Sequence, residues 1–137
     1  MHKLAVFAAV MAIALPAPAL AVGTRSSRDF DIVTRAQKIA ANDLRNQLPI
    51  KFENTTLFAV TSTEGILFQS LIVDVLHKNI NAAYATNVYR RNLVRHLCAD
   101  NDARIILSMG GSYRFMYFSK DAIKFSDIVI SKKSCIL

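Results

Sequence analysis

The sequence predicts an α+β domain of order α-β-β-α-β-β-β, with a mostly antiparallel five-stranded sheet, two helices packed on it and one disulfide. Three observations carry this reading. Two stretches, about 27–47 and 81–97, repeat apolar residues at helical spacing. Five others are rich in β-branched and aromatic residues and are bounded by Gly, Asn, Asp and Ser. Cysteines stand only at 98 and 135, bracketing the last third of the chain.

The first residues do not belong to that domain. Met1-His2-Lys3 is a short basic start, Leu4 to Leu15 is an apolar run, and Ala19-Leu20-Ala21 is a small-residue cleavage site. Together they form the pattern of a secretory signal peptide over 1–21. A membrane anchor is the alternative, but the run before Pro16 and Pro18 is too short to span roughly 30 Å of hydrocarbon. No cysteine stands at the junction, which argues against lipid attachment there. The mature chain, 22–137, is then one domain without a transmembrane segment, opening on a small, polar, loose arm over 22–28.

Ser26 with Asp29 three residues on resembles a capping box ahead of the first helix. Phe30, Val33, Gln37, Ala40, Leu44 and Leu48 then recur on one face, and Pro49 ends the pattern. Thr55 to Thr61 and Ile66 to Val75 read as two strands joined by a turn at Ser62–Gly65. Asn81 is placed to cap the second helix, whose core stripe is Ala82, Ala85, Tyr89, Leu93 and Leu97. After the break Ala99–Asp102, the residues Arg104–Met109, Ser112–Phe118 and Ala122–Ile130 read as a three-strand meander. Gly110-Gly111 serves as its first hairpin turn, because both central positions of a type I′ turn need φ > 0. In the last run the apolar parity shifts between Phe125 and Ile128, which predicts a bulge near Ser126-Asp127 or burial on both sides.

Export to an oxidising space makes Cys98 and Cys135 legible as a disulfide, since in a cytosolic chain both would default to free thiols. Two buried thiols are the alternative. The closed loop spans 37 positions, for which chain entropy corresponds to about 4 kcal/mol.

This order resembles a group of small exported proteins of Gram-negative bacteria that includes the quorum-sensing-regulated virulence factors. The residues that carry the resemblance are Asn46-Gln47-Leu48-Pro49, Thr55-Thr56-Leu57, Leu97-Cys98, Arg104-Ile105-Ile106-Leu107 with Gly110, Tyr113, Tyr117 and Lys133-Ser134-Cys135. Similar patterns occur in accessory proteins of envelope secretion and conjugation systems. The chain departs at Ser119-Lys120-Asp121-Ala122, where such proteins close a tight turn with glycine, because alanine makes a left-handed position costly. The resemblance implies an exported, disulfide-bonded α+β protein and carries over no catalytic residues.

The residues themselves offer little chemistry. His77 and His96 are 19 positions apart with no metal-ligand spacing around them, so no metal or cofactor is expected. Gly110-Gly111-Ser112 lacks the nucleophile-elbow pattern. No phosphate loop is present. The reading is therefore a non-enzymatic periplasmic or secreted binding protein, with an inhibitor or immunity protein and a small hydrolase as alternatives.

Cleavage removes Lys3 and leaves 16 basic against 10 acidic residues, a net charge of +6. Such an excess favours an anionic partner, such as a membrane or envelope surface, a polysaccharide or an acidic protein. An apolar sheet face left uncovered can instead be closed by the N-terminal arm, a second copy of the chain or a foreign partner. Nucleic acid is not expected, since no binding module is recognisable. Arg91 and Arg95, four apart with Arg90 beside them, are one candidate surface, because like charges at that spacing repel unless something anionic answers them. Arg114, Met116 and Phe118 are the other, on the strand face opposite Tyr113, Phe115 and Tyr117.

The exported protein should show the intact mass of a chain beginning at Val22. A product that retains Leu4 to Leu15 would instead be an anchored one.

Overall fold

The computed structural model describes residues 26–136. The signal peptide expected over 1–21 lies outside the described residues, as does the arm as far as residue 25. The arm's remainder, 26–28, is helical.

Helix α1 (Ser26–Arg45) carries Asp29 in its first turn, where a carboxylate meets the positive end of the helix dipole. Its buried side is Val33, Ala36, Gln37, Ala40, Ala41 and Leu44. Strands β1 (Ile50–Phe52), β2 (Thr55–Thr63) and β3 (Ile66–Val73) follow, with β1 and β2 antiparallel, as are β2 and β3. The β2–β3 turn is Glu64-Gly65, both at positive φ (49° and 80°), the conformation a two-residue type I′ hairpin demands.

After a 3₁₀ turn at His77–Asn79 comes helix α2 (Ala82–Ala99). The Asn81 side chain caps it by accepting the Tyr84 amide at 3.1 Å. Tyr89, Leu93 and Leu97 are its buried stripe. Helix α3 (Asn101–Ser108), strands β4 (Ser112–Phe118) and β5 (Lys124–Ile130) and a 3₁₀ turn (Lys132–Cys135) complete the chain.

The expected fold class holds, with five strands, three of four pairings antiparallel, helices on one face and the Cys98–Cys135 disulfide. One element changes type. Arg104–Met109, expected as a strand, lies in α3, so the order becomes α-β-β-β-α-α-β-β and the fifth strand comes from Ile50–Phe52.

The cause is local. Asp100 accepts the amides of Asp102 (2.9 Å) and Ala103 (3.2 Å), capping the helix N-terminus. Ala103, Ile106 and Leu107 then bury one helical stripe. At the other end the Gly110 amide donates to Leu107 O and the Gly111 amide to Ile106 O, with Gly110 at φ 97°, which is a Schellman ending. Gly110-Gly111 is thus a helix terminus and not a hairpin turn.

Because α2 and α3 form a crossover, β4 pairs with β3 in parallel, Leu67 opposite Tyr113 and Leu71 opposite Tyr117. The spatial order β1-β2-β3-β4-β5 places β3 in the middle, between β2 and β4. Leu57, Leu67, Leu71, Tyr113, Phe115, Tyr117, Ile128 and Ile130 point to the helices and are buried. Tyr89 of α2 stacks on Tyr117 at 4.3 Å between ring centroids. The expected bulge is present one step earlier than read. Tyr117 faces Ser126 while Phe118 faces Lys124, leaving Phe125 as the extra residue. Ala122 does take the left-handed conformation, φ 65°, in a turn held by the Ser119 hydroxyl and the Asp121 carboxylate.

Gly111 sits under α1 and α3, where an added Cβ would lie 2.6 Å from Ile106 Cγ2 and 2.7 Å from Val33 Cγ1. Gly111→Ala should therefore cost about 1–3 kcal/mol by overpacking. Gly110→Ala, with open space around its Cβ, should cost only the backbone strain, about 1 kcal/mol. Urea unfolding of both variants tests the ranking, and the reverse order would contradict this packing.

Candidate functional site: two solvent surfaces

The two sets of predicted site residues fall on opposite sides of the molecule. Arg114, Met116 and Phe118 alternate with the buried Tyr113, Phe115 and Tyr117, and so lie on the sheet face that the helices leave open. Cross-strand register fills in their neighbours. Ile72 lies beside Phe118, Ser70 beside Met116, and Phe68 beside Arg114. On the far side Val129 faces Arg114 and Asp127 faces Met116.

This face answers its own chemistry. The Arg114 guanidinium donates to both carboxylate oxygens of Asp127, Nε to Oδ1 at 2.8 Å and Nη2 to Oδ2 at 2.6 Å. It also lies over the Phe68 ring at 5.6 Å, and Lys124 reaches the same carboxylate at 3.3 Å. Phe118 meets Phe58 edge to face at 5.8 Å. What stays exposed is chiefly Phe58 (45%) and Val129 (47%).

Helix α2 is different. Arg90, Arg91 and Arg95 are all exposed, and no acidic residue occurs anywhere in Ala82–Ala99. Among the described residues none of the three takes part in an ion pair. With Tyr84, Asn87 and Val94, Arg90 and Arg91 line a shallow groove. A second groove is lined by Asn101, Arg104, Ile105 and Ser108 of α3 together with Lys132. The disulfide links α2 to the 3₁₀ turn that carries Lys132 and Lys133.

Tyr84 and Val94 were not among the residues singled out from sequence. Their signal was readable, since 84, 87, 91, 94, 95 and 98 repeat at helical spacing on the side away from Leu93 and Leu97.

The remaining chemistry-bearing residues do not converge. His77 lies in the 3₁₀ turn, where its amide donates to Asp121, and His96 lies in the last turn of α2. Ser112 opens β4, and its carbonyl accepts Gln37 Nε2 at 3.0 Å. Among the described residues no helix is long and apolar enough to cross a membrane.

The family model described as Type II secretion system (T2SS) pilotin, S protein matches residues 29–135. The chain belongs to that family. Of the two resemblances read from sequence, the one shown is to secretion-system accessory proteins and not to the quorum-sensing virulence group. No curated protein sequence matches the chain.

Among solved structures it is similar to the pilotin AspS of Vibrio cholerae, with 21% identity and a TM-score of 0.64, over 80% of this chain and 97% of that one. It is similar to the pilotin EpsS of the Vibrio vulnificus type 2 secretion system, with 20% identity and a TM-score of 0.67, over 80% and 96%. A Pseudomonas aeruginosa protein described as secreted matches with 16% identity and a TM-score of 0.65, over 78% and 96%. At these identities the likeness is one of fold. The protein is a non-enzymatic accessory component of a secretion system, as its family is, and the inhibitor and hydrolase alternatives give way to that assignment.

The hydrogen bond from Arg114, with Lys124 in support, lowers the Asp127 pKa below the ordinary carboxylate range. A depressed carboxyl contributes stability above its unfolded-state pKa and loses it as pH falls through the folded-state value. Thermal unfolding of the native protein should therefore decline more steeply than that of Asp127→Asn between about pH 5 and pH 3. Parallel curves would show that the pair contributes nothing.

Proposed function

We propose that this chain is an exported pilotin that binds the secretin subunit of a type II secretion system in the cell envelope. The observation that carries the reading is the family match from residue 29 to residue 135, which spans both helices of the crossover, the whole sheet and both cysteines. The geometry supports a binding role. Arg90, Arg91 and Arg95 stand exposed on α2, with no ion pair among the described residues. A small rigid body with a charged outer helix is suited to holding a segment of a larger protein in a defined orientation.

The periplasmic location follows from the same reading. It agrees with the signal-peptide pattern of residues 1–21 and with a disulfide that forms in an oxidising compartment. A link to virulence would be indirect, through whatever cargo the secretion system exports.

The test is co-purification from detergent-solubilised envelopes of the organism that encodes this chain. The affinity-tagged mature protein should retain the secretin, identified by peptide mass, and a deletion strain should export less of the system's cargo. Retention of no secretin, with cargo export undiminished in the deletion strain, would remove the proposal.

A further inference from the structure

We propose that the sheet face left open by the helices pairs with the same face of a second copy of this chain, as a two-fold dimer. The proposal goes beyond the binding role above and does not depend on it. It starts from the rows of side chains that face water. A sheet with one solvated side carries polar residues there, yet the outward positions include Phe68 and Ile72 on β3 and Met116 and Phe118 on β4. On the strands that flank them, Phe58 is 45% and Val129 47% exposed. Around this centre stand Thr61 and Thr63 of β2 and Lys124 of β5. An apolar centre inside a polar rim is the anatomy of a protein–protein contact.

Charge selects the occupant. The mature chain has 16 basic and 10 acidic residues, a net +6, so two copies repel wherever their cations are unanswered. On the helix side Arg90, Arg91 and Arg95 have no ion pair among the described residues. On the sheet face Arg114 and Lys124 both reach Asp127, at 2.6 and 3.3 Å, which leaves a single excess positive charge there. Of the two surfaces, this is the one that a second copy approaches at lower electrostatic cost. It is also the one that draws an acidic protein or an anionic lipid less.

The relief of the face is self-complementary. Ala59 lies beside Ser70, and Ser70 beside Met116, so one row holds two small side chains. The row of Phe118 and Ile72 borders it on one side and the row of Phe68 and Arg114 on the other. A hollow thus stands between two ridges. A two-fold axis beside it sets a ridge of each copy into the hollow of the other, as an isologous contact requires.

The area suffices for a reversible dimer. Four strands of seven to nine residues, about 4.8 Å apart and rising about 3.3 Å per residue, present roughly 500 Å². Two copies then bury about 1,000 Å², where specific interfaces begin. Those four strands are about 19 Å across, whereas an arm of residues 22–25, with cleavage after Ala21, reaches at most about 14 Å. The arm is too short to cover them. Paired by their sheets, the two copies keep their helical layers on the outside.

The test is equilibrium sedimentation of the mature protein, 22–137. Its average mass should rise from one chain to two across the micromolar range. The dimer should tighten as salt rises, because salt screens the repulsion between like-charged copies. Phe58→Lys, at an exposed position, should weaken dimerisation by about ten-fold or more, and Val129→Thr, which keeps β-branching, should weaken it less. Arg91→Glu/Arg95→Glu, on the other side, should dimerise as wild type does or more tightly. Circular dichroism checks each fold. A second measurement needs no variant: the amide resonances of Phe58, Met116 and Val129 should shift with concentration, and those of Ala82–Ala99 should not.

A wild type that stays monomeric throughout would overturn the pairing and leave the face to a foreign partner. A dimer that forms only when 22–25 are deleted would give the face to the arm. A dimer that loosens with salt, that Phe58→Lys leaves unchanged, or whose resonance shifts fall on α2 would place the contact elsewhere and overturn the pairing equally.

Discussion

The parallel pairing of β3 with β4 is the constraint on which the rest of the structure depends. Two strands that run the same way side by side need a crossover between them, and here the crossover consists of α2, α3 and the turns that flank them. That single requirement puts both later helices on the side of the sheet that α1 already covers. One face is consequently dry, lined by Leu67, Leu71, Phe115 and Tyr117. The other remains in water, with α2 forming the molecule's opposite outer wall. The two surfaces available to partners are therefore consequences of one ladder.

Most of this was legible in the chain because the signals were long. The apolar stripe of α1 and the alternation of Tyr113 to Phe118 each extend over enough residues for their period to be unambiguous, and Asn81 marks the start of α2 by its capping side chain. Arg104–Met109 was not. An Ile-Ile-Leu run satisfies a buried strand and a buried helix alike at that length, and periodicity cannot separate them. The deciding features were its ends, Asp100 as an N-cap and Gly110 at positive φ. Reading Gly110-Gly111 as a hairpin turn assigned them to the wrong partner element. The type I′ turn lay instead at Glu64-Gly65, where a non-glycine occupies the first left-handed position. The three residues of β1 carried too little pattern to be read at all. They become a strand because β2 offers them an edge.

The candidate surfaces differ in a way that sequence alone does not reveal. Arg114 and Arg91 are both arginines on half-apolar faces. The bulge at Phe125 sets the register of β5 so that Asp127 stands in the row next to Arg114, close enough for a two-point ion pair. Among the described residues no carboxylate pairs with Arg91 or Arg95. A bidentate pair resists exchange with an external carboxylate, since the newcomer must displace a preformed partner. An unanswered pair of arginines imposes no such cost.

The disulfide ties these features into one mechanical unit. The loop it closes contains α3, β4 and β5, which is to say the second strand of the parallel ladder, the ion pair on the open face and the lysines beside the outer stripe. Closing 37 residues corresponds to about 4 kcal/mol in the chain-entropy picture, a large part of the 5–15 kcal/mol that is usual for a whole domain. Cys98 also sits at the end of the α2 stripe, so the bond acts at the point where outer helix and C-terminal turn meet. Holding that corner through Cys98 ties the turn of Lys132 and Lys133 to the end of α2, and the bond leaves the arginine side chains unused.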